Sequence, residues 1–275
     1  MLCSHRQSNS AAFVAALPCV VALLASSASY AQASDDWTFQ GIVYGYLPSI
    51  DGKTTFPEEG EARVTIDASK FLENLEFVFM GSFEASKGSW GVFTDAMYLD
   101  VGDSNSPSRD ITIGGGMLPA GASANIHYGL RAWTWSLAAT WRVQATPTSR
   151  LDVIAGTRMI ELDQEVDWQL SGNIGSIALR DRAGTSKTGV TNWDAIVGIK
   201  GRVGLGEGHW VVPYYFDVGA GDSQFTWQAM AGLGYTFRWG ELMGLWRYID
   251  YDMKSDKEIA SASLNGPAIA VAFRW

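Results

Sequence analysis

Strict alternation of large apolar residues with small or polar ones constrains this chain most, and its last ten residues show it most clearly. The large apolar residues stand two apart, at Ile269, Val271, Phe273 and Trp275, with alanine or arginine between them. Successive side chains of a β-strand point to opposite faces, so this segment predicts a strand with one large apolar face. A closed β-barrel in lipid needs such strands, because its outer face meets acyl chains.

The same two-residue period recurs along most of the chain. Ten segments show it: 37–47, 77–85, 90–98, 132–143, 151–159, 193–203, 210–218, 225–237, 241–252 and 264–275. Residues 108–116 or 164–178 would add strands if they also pair. The sequence therefore predicts an all-β fold, a transmembrane antiparallel up-and-down β-barrel of about 10 strands, with 8 or 12 as the alternatives.

Short and long connections alternate between these segments. Short turns are predicted near 87–89, 146–149, 204–208 and 238–240, long connections near 48–73, 100–123, 164–189 and 253–263, and a tight exception near 219–223. Outer-membrane barrels have this arrangement, with their short turns on the periplasmic side. Within the first long connection, the spacing of residues 66–75 fits a short amphipathic helix or an extension of the next strand.

The first 33 residues predict a secretory signal peptide. A basic residue, the mostly apolar stretch 11–24 and the small-x-small motif Ala31-Gln32-Ala33 follow one another in the expected order. Cleavage after Ala31 and an uncleaved membrane anchor are the alternatives. We expect one mature barrel domain, residues 34–275, which contains no cysteine because Cys3 and Cys19 both precede it.

Composition narrows the class of partner. The chain has 20 basic and 29 acidic residues and a formal net charge of −9, which argues against nucleic acid. Its 12 Trp, 10 Tyr and 12 Phe fit aromatic girdles at membrane interfaces, and its 30 Gly fit tight turns and crowded barrel interiors. We expect contact with outer-membrane lipid and lipopolysaccharide, and a monomer, because a closed barrel has no strand edge left to pair.

Charged residues of both signs alternate with the apolar stripes and are therefore expected to face the lumen. They are Glu84, Asp95, Asp152, Arg158, Asp194, Lys200, Arg202, Asp217 and Arg247. Mixed charge inside a narrow barrel favours a salt-bridged polar core, because about eight strands already leave an interior that side chains fill. A narrow pathway or ligand pocket lined by these charges is the alternative.

Catalytic motifs are absent from the sequence. The expected mature chain has two histidines, His127 and His209, and neither stands in a Gly-x-Ser-x-Gly motif. No His-Glu-x-x-His, Walker-type or dinucleotide signature occurs, so we expect no catalytic residue, metal or cofactor. Two alternatives remain: a lipid-active enzyme built around His127, and a surface adhesin or receptor that acts through residues 48–73 and 164–189.

Two sets of residues resemble bacterial barrel proteins. The last strand, with Phe273 and Trp275, resembles the C-terminal signal strand of outer-membrane β-barrels, which the barrel-insertion machinery reads. Further motifs are similar in order to those of a group of uncharacterised proteobacterial outer-membrane barrel proteins: Gly156-Thr157-Arg158, Asp217-Val218-Gly219, Ser223-Gln224-Phe225-Thr226-Trp227-Gln228, Gly232-Leu233-Gly234-Tyr235, Trp246-Arg247-Tyr248 and Gly266-Pro267. The resemblance implies a barrel in the outer membrane and brings no activity with it.

Overall fold

The computed structural model describes residues 36–56, 60–66, 75–102, 122–174, 177–178, 182–206, 208–254 and 259–275. Its strands are β1 Trp37–Tyr46, β2 Ser49–Phe56, β3 Gly60–Ile66, β4 Leu75–Lys87, β5 Trp90–Gly102, β6 Ala122–Ala145, β7 Ser149–Ile174, β8 Ile177–Ala178, β9 Arg182–Gly204, β10 Trp210–Gly221, β11 Ser223–Thr236, β12 Glu241–Met253 and β13 Ile259–Arg274. Among the described residues, no helix has the length and apolar character needed to cross a membrane.

Ten of these strands close a barrel. The order around the ring is β1-β4-β5-β6-β7-β9-β10-β11-β12-β13, and each strand is antiparallel to its neighbours. The ring closes where β1 pairs with β13, from Gln40 opposite Arg274 to Tyr46 opposite Ala268. The predicted all-β antiparallel barrel is therefore confirmed, with ten strands rather than eight or twelve.

Three strands lie outside the ring and lengthen it at one end. The β2–β3 hairpin adds to β13 where β13 has left β1, and β8 pairs with the end of β7. Residues 164–174 thus extend β7, and 177–178 form β8 beside its end, so neither adds a strand to the ring. The expected long loop over 164–189 was wrong, because β7 and β9 stay paired up to Leu170 and Arg182. Backbone hydrogen bonds continue this hairpin beyond the point where the apolar stripe stops.

The short connections follow the prediction. Strand ends at 87 and 90, 145 and 149, 204 and 210, and 236 and 241 confirm the four short turns, and 221 and 223 confirm the tight fifth connection. The long connection expected over 253–263 was wrong, since β12 ends at Met253 and β13 begins at Ile259. The Ser- and Ala-rich segment has the composition of a loop, yet Ser261 pairs with Asp252.

Several predictions fall on residues outside the described ranges. They are the signal peptide over 1–33, the helix over 66–75 except its two end residues, and the candidate strand over 108–116.

The outer surface carries two belts of aromatic side chains. We call the end with the four short turns the turn end, and the opposite end the loop end. The turn-end belt contains Trp37, Phe39, Phe83, Trp90, Trp141, Trp210, Tyr235, Phe237, Trp239, Phe273 and Trp275. The second belt contains Phe77, Tyr98, Trp133, Trp135, Trp193, Phe216, Trp227 and Tyr248.

The distance between the belts suits a membrane. Trp141 and Trp133 represent the two belts on β6, and strand rise and tilt put them about 20 Å apart along the barrel axis. Exposed aliphatic side chains such as Val43, Val197 and Ile269 lie on the same outer surface. An apolar band of roughly 25 Å between aromatic girdles is the exterior that a transmembrane barrel presents to lipid.

Close strand contact at Gly156 generates a test of the barrel. A Cβ atom at Gly156 would lie 2.0 Å from the Leu137 carbonyl oxygen and 2.5 Å from the Ala138 Cα on β6. We expect Gly156→Val to lower the free energy of unfolding by about 3 kcal/mol, because the backbone must move to admit the side chain. Gly244→Val is the matched control, since no heavy atom lies within 4 Å of a Cβ there. Urea titration followed by tryptophan fluorescence measures both, and equal losses would contradict the packing.

Candidate functional site

The structure places all nine sequence-predicted lumen residues inside the barrel. Seven are buried: Glu84, Asp95, Asp152, Arg158, Asp194, Asp217 and Arg247. Lys200 and Arg202 are partly buried and line a cavity at the turn end. Strand alternation produces this placement, because every inward position on these strands has an outward apolar neighbour.

The first charged layer is a chain of ion pairs near the turn end. The Lys200 Nζ donates to Glu84 Oε2 at 2.5 Å, and Arg150 contacts both Glu84 and Asp152. The Arg142 Nε donates to Asp152 Oδ1 at 3.1 Å. Each of the two carboxylates is therefore shared by two cations. The Lys200–Glu84 pair joins β9 to β4, which lie four steps apart around the ring.

A second group at the same depth is built around Glu241. Its Oε2 atom accepts from the Arg202 Nη1 at 2.8 Å and lies 3.2 Å from the Arg274 Nη2. The Arg274 Nε also donates to the Gln40 side-chain oxygen at 3.2 Å. These contacts connect β9, β12, β13 and β1, so this group too spans much of the interior.

Deeper inside, Arg247 on β12 reaches Asp95 on β5. The Arg247 Nη2 donates to Asp95 Oδ1 at 2.9 Å and to the Gln228 side-chain oxygen at 3.3 Å. The Arg247 Nη1 donates to the Tyr44 hydroxyl at 2.7 Å, and that hydroxyl donates to Asp95 Oδ2 at 2.9 Å. Both charged side chains are almost fully buried, so the pair closes the cross-section between strands four steps apart.

The innermost ion pair joins Arg158 on β7 to Asp217 on β10, and both side chains are fully buried. The Arg158 guanidinium also donates to the hydroxyls of Thr226 and Ser136, each at 3.4 Å. The nearby carboxylate of Asp194 accepts from a backbone N–H at 2.8 Å. Charges removed from water this completely need such partners, because an isolated buried charge is very costly.

Beyond these pairs, toward the loop end, the interior becomes apolar. We call this the apolar layer: Met97, Leu99, Val101, Ala132, Ile160, Leu162, Val190, Ile249, Met253, Ile259 and Leu264. Met97, Leu99 and Ile249 have no measurable exposure. The described interior therefore has a charged half at the turn end and an apolar half at the loop end.

A cavity of about 130 Å³ lies in the charged half. Its charged lining includes Arg150, Lys200, Arg202, Glu241 and Arg274. Apolar side chains complete the wall: Ile42, Phe93, Met230, Met243 and Leu245. We call this cavity the vestibule.

Several interior residues escaped the sequence analysis: Tyr44, Arg142, Arg150, Glu241 and Arg274. Tyr44 lies between the outward Val43 and Gly45, so the alternation itself could have assigned it to the lumen. The other four stand at or near strand ends beside turns, where solvent-facing charge is the usual interpretation. Alternation alone places Arg142, between Trp141 and Val143, and Arg274, between Phe273 and Trp275, on the inward face. The ion pairs show that Arg150 and Glu241 also turn inward.

The residues of the alternative hypotheses lie elsewhere. His127 is in β6 opposite Asp167, and its side chain falls outside the described set. His209 lies in the turn between β9 and β10, with its ring 5.6 Å from that of Tyr235. Among the described residues, no group of three or more His, Cys, Asp or Glu side chains is arranged to hold a metal ion.

The two residues of the expected insertion signal face outward on the turn-end belt. The Trp275 backbone exchanges two hydrogen bonds with Phe39, and the Phe273 ring lies 5.9 Å from Trp239. Their recognition by the insertion machinery stays a prediction.

Comparison with known proteins adds likeness of fold. No protein-family model matches the chain. No curated protein matches it either. Similar solved structures include the outer membrane protease OmpT from Escherichia coli, at 11% identity and a TM-score of 0.45, covering 90% of this chain and 98% of that one. The translocator domain of the autotransporter NalP from Neisseria meningitidis has 15% identity and a TM-score of 0.34, covering 86% and 88%. At these values, the fold assignment rests on the strand pairing described above.

The Arg158–Asp217 pair generates a test of the interior. We expect Arg158→Met to lower the free energy of unfolding by about 3–5 kcal/mol, because it strands the buried Asp217 carboxylate. The double variant Arg158→Met with Asp217→Leu should recover most of that loss, since no charge then lacks a partner. Urea unfolding of the three proteins measures the difference. A double variant less stable than the single one would contradict this account.

Proposed function

We propose that the protein is a non-enzymatic structural barrel of the Gram-negative outer membrane, closed to the passage of solutes. The apolar band between two aromatic belts supports a membrane location, and barrels of this kind are found in outer membranes. The short turns would then face the periplasm. Because the ring closes on itself, it leaves no strand edge to pair with a second copy, which supports a monomer. Its outer surface would then contact lipid and lipopolysaccharide.

The apolar layer is the observation that carries this proposal. Its side chains meet across the lumen and form one packed cluster with almost no exposure. An ion that entered would lose its hydration shell among methyl and methylene groups, and hydrophobic constrictions block conduction for that reason. Strands four steps apart are also joined by Arg247–Asp95 and Lys200–Glu84, which occupy the space a water path needs.

The chemistry of the described interior supports a role without catalysis. Its polar groups are carboxylates, guanidinium and ammonium groups, hydroxyls and amides, and no imidazole is among those that the structure describes. Nucleophilic hydrolysis needs a base held beside an activated hydroxyl, and in the described interior the charged groups instead pair with one another.

A narrow channel is the second candidate, and the vestibule favours it. This cavity already extends from the turn end to the Arg247–Asp95 ion pair. A channel would additionally require the apolar layer to part.

Planar-bilayer recording separates the two candidates. We expect the folded protein to insert without discrete current steps, because the apolar layer leaves no hydrated path. Heat-modifiable gel migration and flotation with vesicles must first show that the silent protein is folded and inserted. Reproducible, salt-dependent openings at modest voltage would refute the closed barrel and favour the channel.

A further inference from the structure

The vestibule carries more positive than negative charge. Its lining contains five cationic side chains: Arg150, Lys200, Arg202, Arg247 and Arg274. Four carboxylates line the same cavity: Glu84, Asp95, Asp152 and Glu241. The lining thus has one more positive than negative side chain, whereas the whole chain has a formal net charge of −9. A concave, partly desolvated surface with this surplus attracts anions, since low-dielectric walls focus the field.

Some N–H donors of the arginines that line the vestibule also have no hydrogen-bond partner among the described residues. Arg247 lines the vestibule, and its buried Nε has no hydrogen-bond partner among the described residues. Within the same part of the chain, Arg202 has Glu241 as its one carboxylate partner, and Glu241 also holds Arg274. A guanidinium presents five N–H donors in a planar fork that matches a carboxylate, so these groups have capacity for another oxyanion.

Apolar side chains also line the vestibule. Met230, Met243 and Leu245 line it, together with the ring of Phe93. A bare inorganic anion would leave this surface in contact with water. A ligand that combines one anionic group with a short apolar chain would contact both the cations and the apolar side chains of the lining.

Size and access limit the ligand further. By the volume that one buried water needs, 130 Å³ has room for about ten small-molecule heavy atoms. The side chains of Arg202 and Arg274 are 28% and 36% exposed, so the cavity can be reached from the turn end. The apolar layer closes the other side.

We propose that the vestibule is a binding site for a small organic anion, a monocarboxylate with a short aliphatic chain of about six carbons. The carboxylate lies against Arg202 and the neighbouring cations, and the chain packs on Met230 and Met243. This goes beyond the closed barrel, which needs no ligand. Binding and conduction are also measured separately, so either proposal can fail without the other.

Methyl NMR of the protein purified in detergent tests the site directly. Hexanoate is the probe, and the protein carries isotope-labelled methionine methyl groups. We expect saturable shifts at Met230 and Met243 and none at Met97 or Met253, which lie in the apolar layer. Hexan-1-ol and hexylammonium have the same chain without the negative charge, and acetate has the charge with a far shorter chain. Each should bind at least tenfold more weakly.

Two variants and a matched control connect the binding to the vestibule. Arg202→Gln should weaken hexanoate about tenfold, because one charged partner is lost while Glu241 keeps Arg274. Arg131→Gln removes the same charge at an exposed position near the loop end and should leave affinity unchanged. Ala270→Leu fills the cavity without changing charge and should abolish the shifts. Gel migration and the far-UV spectrum confirm that each variant is folded.

Three results would each overturn the site. The first is the absence of saturable shifts at Met230 and Met243 in the unaltered protein. The second is equal binding of hexylammonium or hexan-1-ol, which would show that the cavity does not select an anion. The third is unchanged hexanoate binding in folded Ala270→Leu, which would place the ligand elsewhere. The first two need no variant, so the test stands even if a substitution prevents folding.

Discussion

The rest of this structure depends on the backbone hydrogen bonds between neighbouring strands, which lipid cannot replace. At the membrane location proposed above, each backbone N–H and C=O must find a partner within the chain, because hydrocarbon offers none. A sheet meets that demand only when its first and last strands pair, and here β1 and β13 do so over seven residue pairs. The Trp275 backbone continues the closure with two further bonds to Phe39. The aromatic belts and the filled lumen are consequences of this closed ring.

A ring of ten strands encloses a space too small for bulk water and too large to leave empty. The chain fills it differently at its two ends. At the loop end, Leu99, Ile160 and Ile249 pack as in an ordinary protein core. At the turn end the filling consists of arginine and lysine side chains, whose long apolar stems pack while their charged heads pair with carboxylates. Long charged side chains leave gaps that compact apolar ones do not, and the vestibule lies in that half.

The two-residue period of the sequence predicted the face of the sheet to which each side chain points. It predicted an outward face for the large apolar residues and an inward face for nine charged ones, because alternation reports the face of each side chain. It could not show which strands pair, since that depends on contacts far apart in the chain. Arg247 and Asp95 are 152 positions apart, and only closure of the ring brings them together. Composition misled at residues 253–263, where serine and alanine suggested a loop but continue β13. It misled again at 164–189, where polar residues hid a paired hairpin.

The buried ion pairs have a further consequence for how the barrel assembles. Sliding β10 by two residues against β9 would keep every side chain on its proper face, so alternation alone does not forbid the shift. Such a slip would carry Asp217 away from Arg158 and leave two charges unpartnered in the interior. The cost of separating a buried pair is far larger than the net benefit of forming it. These pairs therefore select one strand register among those that apolar packing would tolerate. The outer surface cannot make that selection, because its aliphatic residues resemble one another.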